Sequence, residues 1–104
     1  MPMDHTATRA LEYWDGRFPW GSREVLYRLS ESTSSTDRAD IVEIQKIKGA
    51  AFQWMEEGSP VDWESAELRS DLHRQLARQH PWCDEEVFER LWTWLRWLGW
   101  HDGY

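Results

Sequence analysis

Residues 84–100 read Asp84-Glu85-Glu86-Val87-Phe88-Glu89-Arg90-Leu91-Trp92-Thr93-Trp94-Leu95-Arg96-Trp97-Leu98-Gly99-Trp100. At about 100° per residue, Val87, Leu91, Trp94, Leu95 and Leu98 share one arc of a helical wheel. The three acids that open the segment stand where a helix dipole favours negative charge. The stretch therefore predicts a helix from Asp84 to about Trp100 with one buried stripe. Its indoles exceed what that stripe holds. Trp92 lies at one edge of the arc, Trp97 at the other and Trp100 nearly opposite. Another part of the chain, a second copy or a partner must cover the outlying rings.

Four further helices follow from the same periodicity. The first runs from Asp4 or Thr6 to Trp14, with Ala7, Ala10, Leu11 and Trp14 on one side and Asp15-Gly16 as its stop. The turn-rich piece 15–21 brings Phe18 and Trp20 back toward the core. Ser22 caps a short second helix, Arg23 to about Leu29. The third, about Asp37 to Glu57, aligns Ile41, Ile44, Ala51, Phe52 and Met55, with Ile47 at the margin. Gly49 inside it weakens the helix by up to about 1 kcal/mol against alanine, and a close helix crossing is one reason to keep a glycine there. The fourth, about Trp63 to Gln79, is capped by Asp62 and carries a thin stripe of Leu68, Leu72 and Leu76. His80-Pro81 ends it. Alternating strand-like patterns are absent. The fold class is all-α: one compact domain over residues 1–104, a bundle of four to five helices with the third and fifth as its central pair. The Ser/Thr-rich stretch 30–36 reads as a mobile loop within that domain.

Composition narrows the function classes. A chain of 104 residues with 40% hydrophobic content buries a core without staples. The single cysteine, Cys83, excludes an internal disulfide and fits a reducing cytoplasm. No apolar run reaches the roughly 20 residues of a membrane span, and the first residues lack the layout of a secretory signal. The expected location is cytoplasmic.

The net charge is −7, and most of it is local. Residues 56–71 contain six acids and one base, whereas the flanking regions are each close to balance. Such a field repels nucleic acid and attracts basic partners. Direct DNA or RNA contact needs a basic footprint, which this chain lacks. Glu64, Glu67 and Asp71 recur at i, i+3, i+7 along the fourth helix, and Glu56 and Glu57 lie just upstream. This row has two readings. In one it is a solvated face that keeps the protein soluble. In the other its carboxylates imitate phosphates and occupy a basic nucleic-acid groove on another protein.

The aromatic end also has two readings. Trp92, Trp97 and Trp100 are candidates for a protein interface, since tryptophan is enriched at binding hot spots. The alternative is that they fill the core, with Arg90 and Arg96 lying over neighbouring rings. Catalytic signals are weak. His80-x-x-Cys83, with His73 and His101 scattered around it, falls short of a four-ligand zinc motif. Cys83 at a helix start gains nucleophilicity, but the carboxylates after it push the thiol pKa back up. No phosphate loop and no nucleophile elbow is present. The fifth helix lacks the basic face of a membrane-surface helix. The expectation is a non-enzymatic protein with no cofactor and no metal. It binds a protein with a basic surface, for instance blocking a nucleic-acid-handling defence complex. The competing expectation is an adaptor that self-associates, as a homodimer or larger, through its aromatic end.

Overall fold

The computed structural model describes residues 2–15 and 21–102. Five helices account for most of them: α1 Pro2–Tyr13, α2 Arg23–Ser30, α3 Ser35–Glu57, α4 Ala66–Gln79 and α5 Glu85–Asp102. No strand occurs among the described residues, so the chain is the all-α bundle its periodicity predicts. Phe18 and Trp20, expected to fold back on the core, lie outside the described residues.

Side-chain caps fix where the helices begin. Ser22, Ser34 and Ser65 accept the backbone N–H of Val25, Asp37 and Leu68, and Asp84 accepts that of Val87. Each satisfies one of the donors a helix start leaves orphaned. Three of the expected boundaries move, two of them because of these caps. Ser34 starts α3 earlier than Asp37, and α2 runs on to Ser30, so the Ser/Thr-rich loop shrinks to residues 31–34. The Ser32 hydroxyl ties that loop to the Asp37 carboxylate at 2.7 Å. Ser65, rather than Asp62, caps α4, and Asp62 instead accepts the N–H of Glu64.

The core joins Ile44, Ile47, Ala51 and Met55 of α3 to Val87, Phe88, Leu91 and Leu95 of α5, all with no measurable exposure. Ala10 of α1, Trp14 just beyond it, and Leu72 and Leu76 of α4 close it. α3 touches each of the other four helices, and α5 touches α1, α3 and α4. The radius of gyration, 13.5 Å, is close to the ~13 Å of a folded domain this size.

Cross-helix pairs give the directions. Thr6 meets Asp40 and Tyr13 meets Lys48, so α1 runs alongside α3 in the same sense. Trp82 meets Glu43 and Trp92 meets Trp54, so α5 does the same. α4 runs back between them. One end of the bundle therefore gathers the C-terminus of α3, the connection 58–65, the first turn of α4 and the C-terminus of α5.

Two glycines play opposite roles. A Cβ at Gly99 would stand 2.3 Å from the Trp63 ring, so only glycine lets Trp63 lie across α5. At Gly49 a Cβ would meet nothing within 4 Å. The helix crossing expected there does not exist.

Candidate interaction surface

The five acids singled out from the sequence do not form one row. Glu64 precedes the Ser65 cap and is not on α4 at all. Its carboxylate accepts from Arg96 at 2.7 Å. Asp71 pairs with Arg74, one turn further along α4. The remaining three are less engaged. Glu57 accepts only the Gln53 amide, at 2.9 Å, and Glu56 and Glu67 have no partner among the described residues. All three are exposed.

Position sharpens the contrast between these three. Glu67 sits in the first turn of α4, where a helix dipole welcomes an anion. Glu56 and Glu57 end α3, and no basic residue stands in that last turn. A helix C-terminus already carries a partial negative charge, so two carboxylates there raise the local negative potential and cost stability. Stability alone favours lysine or arginine at these positions.

The tryptophans separate as well. Trp92, expected among the interface rings, is 7% exposed. Trp63 and Trp54 cover it, at ring-centroid distances of 5.3 and 6.1 Å, and Phe88 stacks at 6.1 Å. It is core, and the chain itself covers this outlying ring. The indoles that do so come from α3 and from the connection before α4, so the wheel of α5 alone gave no sign of them. Trp94 is also buried, against Trp14 at 5.8 Å. Trp97 is half-buried and pairs with the His101 ring at 5.3 Å. Trp100 is 80% exposed. It follows Gly99, which abuts Trp63, and stands one helical turn beyond Arg96, which holds Glu64. The exposed ring therefore stands on the side of α5 that carries the Arg96–Glu64 pair.

The basic residues expected over aromatic rings work differently. Arg90 donates to the carbonyls of Leu11 and Trp14, both at 2.8 Å, and so satisfies the C-terminal end of α1. Lys48 instead lies over the Tyr13 and Trp94 rings, 4.8 and 5.8 Å from their centroids. It borders an open cleft of about 890 Å³ whose other charged walls are Asp15, Arg23 and Glu24. Charge in that cleft is balanced.

The groups considered for chemistry are engaged in packing. Cys83 is buried, and its pKa is pushed up to about 12, first by burial and then by Asp84 and Glu85. At neutral pH it is a thiol, not a nucleophilic thiolate. The His80 ring is buried, its Nδ1 lying 3.6 Å from Glu43. His73 stacks flat on Phe88 at 4.4 Å, with Nε2 3.0 Å from the Cys83 carbonyl. No helix among the described residues is long and apolar enough to cross a membrane. Comparisons with protein-family models, with curated proteins and with solved structures return no match for this chain.

Proposed function

We propose that the protein is a non-enzymatic binding module that blocks a basic, nucleic-acid-handling partner in the cytoplasm. Its working surface is the end of the bundle formed by Glu56, Glu57, Glu67 and Trp100. Trp97 instead lines the cleft beside Lys48, while Glu64 and Asp71 carry charges largely offset by Arg96 and Arg74. The observation that carries this reading is the pair Glu56 and Glu57 in the last turn of α3, with no base beside them. Charge placed against the helix dipole lowers stability and has no packing role. It makes sense as a surface kept for a cationic partner. The exposed Trp100 ring supplies the apolar anchor that charge alone lacks.

The test is capture from the host at low and high salt, followed by competition. The captured protein should be released as salt rises, because exposed charge pairs are screened beyond about 8–10 Å at physiological ionic strength. Duplex DNA or RNA should displace it. Glu56→Lys, Glu57→Lys and Glu67→Lys together should abolish capture without loss of helicity. Equal capture by that triple variant contradicts the proposal.

The 80% exposure of Trp100 also favours self-association through the aromatic end, with the acids serving solubility alone. In that case the protein sediments as a dimer or larger, and Trp100→Ala returns it to a monomer. A monomer at high concentration removes this second reading.

A further inference from the structure

At the opposite end of the bundle His5 of α1 meets Asp37 and Asp40 of α3. One ligand atom from each lies within 4.8 Å of the others. Asp37 and Asp40 are three residues apart and so face the same side of α3. The Asp40 side chain is only 3% exposed. Its Oδ1 accepts the Thr6 hydroxyl at 2.6 Å. Its Oδ2 is in direct ion-pair contact with His5 Nδ1, though neither buried atom makes a hydrogen bond of regular geometry. A carboxylate taken out of water is costly unless a cation meets it, and His5 is the group the fold sets against it, as an imidazolium or as a metal-bound imidazole. Asp37 is held in a similar way. Its Oδ2 accepts Ser32 at 2.7 Å, while its Oδ1 has only a long contact with Arg9, at 3.5 Å. Arg9 is anchored separately by Glu12, at 3.0 Å. Each carboxylate thus has one oxygen fixed by a hydroxyl donor and a second without one, that of Asp40 against His5 and that of Asp37 toward Arg9. That is how outer hydrogen bonds orient ligands around a metal.

We propose that His5, Asp37 and Asp40 bind one divalent first-row transition cation that clamps the start of α1 to the start of α3. The imidazole nitrogen favours such ions over magnesium or calcium, and the two carboxylates disfavour monovalent copper. Two carboxylates and a dication balance in charge around the buried Asp40, with the Arg9–Glu12 pair alongside. The competing state is an imidazolium at His5 paired with Asp40, with no metal. The His and Cys spacing around His80 and Cys83 does not point to this site, because its ligands come from two helices far apart in the chain.

The full chain, stripped with EDTA and dialysed, is titrated with Zn2+ by calorimetry and with Co2+ by visible absorption. Expected are one equivalent of bound metal, ligand-field bands from Co2+ and a raised melting temperature. The partly exposed Asp37→Asn keeps the fold, as circular dichroism will show, and lowers Zn2+ affinity at least tenfold; His5→Gln does the same. Excess Mg2+ leaves Zn2+ bound. The proposal is overturned by absence of stoichiometric binding, by unchanged affinity in both variants, or by displacement with Mg2+. Any of these leaves a proton-mediated His5–Asp40 pair as the account of the site.

Discussion

The two ends of α3 carry the same kind of residue and treat it in opposite ways. Near its start, Asp37 is held by Ser32 and Arg9, Asp40 by Thr6 and His5, and Glu43 by the Trp82 indole and His80. At its end, Glu57 has only the Gln53 amide, and Glu56 stands in water. Asp40 is 2% exposed, and a carboxylate at that depth must find partners or unfold the site. The terminal acids face solvent and need none. Burial therefore separates carboxylates that hold the fold from carboxylates free to meet another molecule. α5 repeats the lesson in tryptophan, with Trp92 sealed by Trp54, Trp63 and Phe88 and Trp100 projecting into water eight residues later.

The largest expected effect breaks the tryptophan pair. Trp92→Ala empties a site packed by Trp54, Trp63 and Phe88 and should cost about 3–5 kcal/mol. Trp100→Ala should stay within about 0.5 kcal/mol. Urea denaturation of both variants checks this, and similar losses for the two would erase the distinction. Next comes Asp40→Ala, measured in EDTA. It leaves the Thr6 hydroxyl without its acceptor and should cost about 1–3 kcal/mol, whereas Glu57→Ala at the other end should be near neutral.

Much of the fold was legible because it rests on helical periodicity. Ile44, Ala51, Met55, Val87, Leu91 and Leu95 recur on the faces their spacing requires, and all are fully buried. What escaped was set largely by contacts between distant segments. Nothing in α5 announces that Trp63, from the connection before α4, crosses it at Gly99 and seals Trp92. The local Ser65 cap left Glu64 off the helix, so that a row of acids at i, i+3, i+7 became an ion pair with Arg96, an isolated Glu67 and a local Asp71–Arg74 pair. Gly49 misled for the converse reason: a glycine in a helix says that no side chain is needed there, not that something lies close.

Smaller effects sharpen the same contrast. Gly49→Ala meets open space and should stabilise by up to about 1 kcal/mol, readable as a higher melting temperature. Cys83 should resist iodoacetamide in the folded protein at neutral pH and react once urea opens the core. Its folded pKa, pushed up from 9.0 to about 12, exceeds its unfolded value. The neutral thiol therefore stabilises the fold below about pH 9, and that contribution fades as pH rises toward 12. A pH titration of urea stability on wild type and Cys83→Ala isolates it.

The most direct measurement follows the double variant Glu56→Lys, Glu57→Lys through melting and partner capture side by side. Reversing charge at the end of α3 should stabilise the helix by about 0.3–1 kcal/mol per site and at the same time abolish salt-sensitive capture. A variant that melts higher and still captures its partner as wild type does would show that these acids are only solvated surface.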